Sequence, residues 1–589
     1  MYITFRMRTF LHQISIAITL VFSVILKAQY QPQNITGADL QKANEWVQKT
    51  YNSLSQDEKL GQLFIIALYT NKGEDYIENV RSIVTSEKIG GLILMQDDAA
   101  REITLVNEFQ QQAKVPLMIG MDAEWGVYQR ISAAHKFPWA MTLGAIQDKN
   151  LIREMSAKIA EDAHRMGINW DFAPVVDVNT NPDNPIIGNR SFGSQVPNVV
   201  NSALAYAEGL QNNGILAAIK HFPGHGDTNT DSHLDLPVVS HDIKRLNEVE
   251  LAPFKALMDK GIGGVMVAHL YVPALEAGKN IPASISKNIV TGLLKEKYGY
   301  KGLIITDALN MGAVAKRYQP GELDALAFKA GNDIMLFSEG VKEGKRLIQL
   351  AIDKGEISQN RVEESVKKIL LTKYFLGLHD YEPRSPEHIN EDLNNETHVA
   401  VVRKMYANAL TLLKDEDQLL PLNCQSTYYY VPLEEAAFQQ VVDQLNLKTT
   451  VIVKKPEEIS TIPPNSVVLV GFHKDNSTAY KTYKISEQSK QILAQLTKNQ
   501  KVILNVFGSA YALKDVDISK VSTVLLAYEN NDDSLTAAAG ALAGQTPIHG
   551  RLPVLVNDQL KPGMGMDVLP KVQTNLPKRM IKSSHNKQK

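Results

Sequence analysis

The chain is poor in cysteine: Cys424 stands alone among 589 residues, so no intrachain disulfide can form. It also lacks a charge of one sign. Lys and Arg number 62 against 64 Asp and Glu, and the net charge of −2 gives no general pull toward nucleic acid or an anionic membrane. No phosphate-loop pattern G-x4-G-K-S/T occurs, and no G-x-G-x-x-G follows the apolar runs of the C-terminal part, which argues against nucleotide and dinucleotide sites. No long apolar run reaches the ~20 residues of a spanning helix. Hydrophobic content of 44% is ordinary for a globular protein, and a length of 589 predicts at least two domains.

The longest apolar stretch is "ISIAITLVFSVIL" at 14–26, preceded by Arg6, Arg8 and His12 and followed by Ala28. A basic region, a short hydrophobic region and a small residue predict a signal peptide over 1–28, hence an exported protein, periplasmic or extracellular, without stable membrane insertion after cleavage. An uncleaved anchor is the other reading. No cysteine follows the run, so lipid attachment there is not expected.

Between about residues 40 and 380, eight short apolar runs alternate with amphipathic stretches. They are 63–68, 90–95, 116–124, 168–177, 215–224, 264–270, 302–309 and 333–338. Near-continuous apolar strands between helices predict a parallel sheet covered on its outer face. Eight of them predict a (β/α)8 TIM-type barrel over 40–380; an open doubly wound sheet has the same alternation. Asp122, Asp177, Lys220, His221, His269 and Asp307 fall at the carboxyl ends of these runs, where either architecture places its chemistry. A polar linker follows at 381–399. A second alternation begins after it, with strands expected in "TYYYVPL", "TTVIVKK", "NSVVLVGF", "KVILNVFG" and "STVLLAYEN". It predicts a smaller α/β sandwich domain over 400–570 and a solvated basic tail at 571–589.

The segment "KHFPGHGDTNTDSH", from Lys220 to His233, concentrates titratable groups. Three histidines and two aspartates could bind zinc, but strong zinc signals are H-x3–5-H on a helix or paired C-x2-C, and glycines and a proline stand here instead. A solvated loop explains one or two of these residues, not Lys220 and His221 at the end of an apolar run. The third reading is proton transfer. Imidazole gives and takes protons near neutral pH, and a carboxylate beside it fixes its tautomer. Asp231 and His233, two apart, share a face if the segment is extended. Such a dyad needs a nucleophile elsewhere, and Asp307 ends an apolar run.

These residues resemble a family. "KHFPGHGDTNTDSH", "GNRSFG" (188–193), the stretch 282–313 and "AGNDIMLF" resemble glycoside hydrolase family 3, in its bacterial β-N-acetylhexosaminidase branch. The likeness continues through "ALTLLKDEDQLLPL" and "AGALAGQTPIHGRLPV". It implies a retaining mechanism without cofactor or metal. Asp307 matches the nucleophile, His233 the acid/base and Asp231 its partner. Asp122, Arg130, Arg190, Lys220 and His221 match positions that hold sugar hydroxyls. Family members preferring glucosides take their acid/base from a carboxylate of the second domain; this branch carries it on a mobile barrel loop, whose freedom Gly224 and Gly226 are expected to provide.

The chain departs from the branch's D-x-E-G-G-R-V-Q-R. It reads "DAEWGVYQR", with Trp125 for a glycine and Val127 for an arginine. Trp125 either stacks on a sugar or packs in a loop. The implied function is an exo-β-N-acetylglucosaminidase acting on oligosaccharide or muropeptide fragments, with a part in peptidoglycan turnover. The alternatives are a β-glucosidase or phosphate-using glycosidase of the same family, and a catalytically dead sugar-binding protein.

Overall fold

The computed structural model describes residues 35–570 apart from 97, 477, 479 and 480. The expected leader (1–28) and basic tail (571–589) lie outside the described residues.

Eight parallel strands form the N-terminal sheet: β1 (Phe64–Leu68), β2 (Gly91–Leu94), β3 (Met118–Met121), β4 (Trp170–Asp171), β5 (Leu216–Phe222), β6 (Gly264–Val267), β7 (Leu303–Thr306) and β8 (Met335–Leu336). Each pairs with its successor from β1 to β7, and β8 pairs with β1. The Ile305–Ile334 bridge joins β7 to the chain entering β8, so the sheet closes on itself. The barrel reading holds, and the open doubly wound sheet falls away. Every residue in these strands is buried, which is why they read as unbroken apolar runs rather than alternating ones. The run at 168–177 contributes only two strand residues. Pro174 lacks an N–H, and the ladder resumes only at the Val175–Lys220 bridge.

Amphipathic helices cover the barrel. Lys149–Arg165 begins with the Asp148 side chain accepting the Asn150 N–H, and turns Leu151, Ile152, Met155, Ile159 and Ala163 inward. Gln359–Phe375 is the last helix of this half, and left-handed Gly377 follows its end. The connecting segment lies along the barrel, where Tyr381 Oη donates to Asn107 Oδ1 at 2.7 Å and Arg165 pairs with Asp392 at 2.7 Å.

The second sheet has six strands: β9 (Thr411–Asp415), β10 (Thr427–Leu433), β11 (Thr450–Val453), β12 (Val467–His473), β13 (Lys501–Phe507) and β14 (Thr523–Leu526). Their order is β11-β10-β12-β13-β14-β9, and only β9 runs antiparallel. The five expected strands are present; β9 is the additional one. Loops following the strands of this sheet meet loops following β3 and β4 of the barrel. Tyr511 hydrogen-bonds to Asn179 at 2.6 Å, Tyr483 Oη donates to the Pro182 carbonyl at 2.7 Å, and Trp139 Nε1 donates to the Asn476 carbonyl at 3.1 Å. The carboxyl ends of the parallel strands in both sheets therefore face each other. Among the described residues no helix is long and apolar enough to cross a membrane.

Candidate active site

A cavity of about 430 Å³ opens at the carboxyl end of the barrel. Asp122, Arg130, Arg190, Lys220, His221, His233 and Asp307 all line it, from loops and strands far apart in the chain. Asp231 is joined to it through His233.

Asp307 follows β7 directly. Its backbone N–H donates to the Val267 carbonyl at 2.8 Å, and its Oδ1 accepts the Ala308 N–H at 2.9 Å. Burial disfavours its charge, but the His221 imidazole and the Ala308 N–H outweigh burial and hold the carboxyl below its usual range. A half-buried, ionised carboxylate facing a cavity is a competent nucleophile. His269 is fully buried beside it. Its Nε2 donates to the Ala308 carbonyl at 3.0 Å, so Nδ1 accepts the Ser284 hydroxyl at 2.7 Å. Burial lowers its pKa and keeps the ring neutral, as this pair of bonds requires. His269 thus clamps the peptide unit after the nucleophile.

The cavity floor is an ion-pair lattice. Lys220 Nζ lies 2.8 Å from both Asp122 Oδ1 and Glu124 Oε1. Arg130 pairs with Asp122 at 2.6 Å, and Arg190 grips Glu124 through Nε and Nη2 at 2.9 and 2.6 Å. Burial opposes the charge on Asp122, and Lys220 with Arg130 more than offset it, holding the carboxyl well below its normal value; Glu124 is lowered likewise by Arg190 and Lys220. Three cations and the carboxylates of Asp122, Glu124 and Asp177 nearly balance, which such depth requires. The buried Arg130 Nε has no hydrogen-bond partner among the described residues.

Asp177 organises the segment after β5. Its Oδ2 accepts His221 Nδ1–H at 2.7 Å and its Oδ1 the His225 N–H at 2.7 Å, while Arg190 Nη2 lies 3.2 Å from His221 Nε2. His225 donates through Nδ1 to Thr228 Oγ1 at 2.6 Å and meets Ser232 Oγ at 3.2 Å through Nε2; burial lowers its pKa to about 4. The three histidines of the segment are therefore committed to different partners. Among the described residues no cluster of His, Cys, Asp and Glu is arranged to hold a metal ion.

The Asp231–His233 pair forms, by a different geometry from the extended one expected. The segment turns, and Asp231 Oδ1 accepts both the backbone N–H and the Nδ1–H of His233, at 2.9 and 2.7 Å. The His233 side chain is about half exposed, at the cavity mouth. Its loop is docked on the loop after Asp307: Gly312 N–H donates to the His233 carbonyl and Ala313 N–H to that of Ser232, both at 3.2 Å. Gly224 and Gly226 do not loosen this loop. Both are buried; a Cβ on Gly226 would lie 2.0 Å from the Val178 carbonyl oxygen, and one on Gly224 would lie 2.8 Å from Glu250 Cβ. They permit close packing at the root of the loop.

Behind the floor, buried Asp171 accepts the Ala123 N–H at 3.0 Å through Oδ1, and its Oδ2 has no hydrogen-bond partner among the described residues. Burial pushes its pKa up to about 8, so it is a neutral acid at pH 7. Glu124, Asp177, Asp171 and His269 complete the site around the residues expected from sequence. Glu124 was legible as a survivor of a motif, and Asp177 and His269 as residues at the ends of apolar runs; Asp171 carried no such mark.

The geometry combines a half-buried carboxylate, a mouth imidazole with a fixed tautomer, and a floor of paired charges suited to a polyol. A family model, the glycosyl hydrolase family 3 N-terminal domain, matches residues 55–372. The chain belongs to glycosyl hydrolase family 3. It is 26% identical to a β-N-acetylglucosaminidase/β-glucosidase of Cellulomonas fimi, over 86% of this chain and 95% of that protein. It is 33% identical to β-hexosaminidase A of Pseudoalteromonas piscicida, over 60% of this chain and 64% of that one. The solved structure of a family 3 β-N-acetylglucosaminidase from Paenibacillus sp. superposes with a TM-score of 0.71 at 29% identity, covering 86% of this chain and 99% of that one. The family 3 chain described here is thus a glycoside hydrolase with a TIM-type barrel and a second α/β domain.

Proposed function

We propose that this family 3 enzyme is a retaining exo-β-N-acetylglucosaminidase. Asp307 attacks the anomeric carbon and forms a glycosyl ester. His233 protonates the departing oxygen, then deprotonates the water that releases the sugar, and Asp231 orients it throughout. Asp122, Arg130, Arg190, Lys220 and His221 hold the hydroxyls of the terminal sugar.

One observation carries this reading over a β-glucosidase. Among the described residues, the second domain lends the cavity Thr478 and no carboxylate. Its buried Glu529, on the loop after β14, is taken up by Lys136, the Trp139 N–H, Thr142 and Tyr406. That leaves His233 as the proton donor at the mouth. The names of the Cellulomonas and Paenibacillus relatives include β-N-acetylglucosaminidase, the first together with β-glucosidase, and the Pseudoalteromonas relative is named a β-hexosaminidase. Muropeptide or chitin-type fragments, and export through a leader at 1–28, belong to the same reading. Initial rates on aryl β-N-acetylglucosaminide and aryl β-glucoside, with and without phosphate, test it. A preference for the glucoside, or a requirement for phosphate, would contradict it.

A further inference from the structure

Trp125 occupies the position where the resembled branch carries glycine, and it lines the cavity while only 8% exposed. Its ring lies against Trp139, centroids 3.9 Å apart and planes 39° apart, so one indole supports the other. Its carbonyl accepts the Phe137 N–H at 3.3 Å. The neighbouring Gly126 has φ +77°, and a Cβ there would meet the Phe137 ring at 2.4 Å, so this second glycine of the motif has no such latitude.

Trp139 is in turn held by the second domain. Its Nε1–H donates to the Asn476 carbonyl at 3.1 Å and its backbone N–H to Glu529 Oε1 at 2.9 Å. Glu529 is fixed by three further donors: Lys136 Nζ at 2.9 Å, Thr142 Oγ1 at 2.7 Å and Tyr406 Oη at 3.0 Å. Thr478, two residues beyond Asn476, lines the same cavity. An aromatic wall therefore stands where the two domains meet, while the charged groups that suit the terminal sugar's hydroxyls form the floor.

We infer that Trp125 is a specificity-determining residue, a platform for the apolar face of the sugar in the leaving-group position, and that the second domain positions it through Trp139. The part of the indole that reaches the cavity is a flat apolar surface, the complement of the C–H face of a pyranose. The second domain then contributes to leaving-group choice and not to proton transfer. This inference rests on the glycosidase reading of the site.

The test compares two substrates sharing the same terminal N-acetylglucosamine: a β-linked disaccharide and the β-glycosyl fluoride, which has no leaving-group sugar. Trp125→Ala and Trp125→Gly should each raise the fluoride-to-disaccharide ratio of kcat/KM roughly tenfold, the factor corresponding to about 1.4 kcal/mol of lost contact. Trp125→Phe should fall between. Trp139→Phe, which keeps a ring but deletes the Nε1–H, should shift the ratio the same way by a smaller factor, through KM on the disaccharide. Thermal unfolding of each variant separates folding loss from the ratio, because misfolded protein lowers both rates together. An unchanged ratio in folded Trp125→Ala would overturn the inference. Mechanism-based labelling of Asp307 in the same preparations reports on the underlying reading independently: labelling with an unchanged ratio sinks the platform alone, whereas labelling elsewhere sinks the site itself.

Discussion

His233 Nδ1 lies 2.7 Å from Asp231 Oδ1, and that same oxygen holds the His233 backbone N–H at 2.9 Å. One carboxylate oxygen thus fixes both the tautomer and the direction of the ring, and in the proposed mechanism Nε2 is the atom that exchanges a proton. His233→Ala should slow unactivated glycosides far more than activated aryl glycosides. General acid–base help is worth roughly 10²–10⁴-fold, and the gap between the two substrate types should have that order. Asp231→Asn should show the same pattern more weakly. Steady-state rates over a series of leaving groups measure it; equal slowing of all members would remove His233 from proton transfer.

Lys220, 2% exposed, is shared by the buried Glu124 and the half-buried Asp122. Lys220→Met should lower kcat/KM and destabilise the fold by on the order of 3–5 kcal/mol, because Asp122 and Glu124 lose their common cation. Denaturant melts measure the stability term. A change below about 1 kcal/mol would mean that the two arginines suffice.

The root of the His233 loop has no room for a methyl group at Gly226. Gly226→Ala must push the Val178 carbonyl, costing about 1–3 kcal/mol or more and displacing the loop. Turnover of unactivated substrates should fall with it. Full stability and full activity would show that the glycine serves motion and not packing.

Asp171 carries a proton to about pH 8 in the folded chain, against about pH 4 when unfolded. Between those values the folded state binds more protons than the unfolded one, so its contribution falls as pH rises and is lost through pH 8. Asp171→Asn should flatten this part of the profile. Thermal midpoints at pH 5 and pH 8 should converge in the variant; an unaltered difference would place the dependence elsewhere.

The barrel was legible because parallel strands buried on both sides leave unbroken apolar runs. Strand β9 was not, since "TLLKD" turns polar at Lys414 and Asp415 and sits at the antiparallel edge of its sheet. The residues at the cavity were legible through one dense segment and three further stretches, those that carry Asp122, Arg190 and Asp307. Their support was not: Asp177 reaches His221, His269 reaches Ala308, and Trp139 reaches Asn476 only once the chain has folded. Trp125 could be read from sequence as a departure, but its packing depends on a loop of the other domain. The Asp231–His233 pair was anticipated for its chemistry, yet an Asp-led turn brings the groups together instead of extended backbone.

The proposed mechanism turns on Asp307 forming the covalent bond to the sugar. Asp307→Ala should lower turnover by on the order of 10⁴-fold or more while the fold persists. The most direct measurement is mass spectrometry of peptides from enzyme trapped with a mechanism-based fluoro-sugar of the N-acetylglucosamine series. The account predicts a glycosyl adduct on Asp307 that is absent from Asp307→Ala; an adduct on any other carboxylate would contradict it.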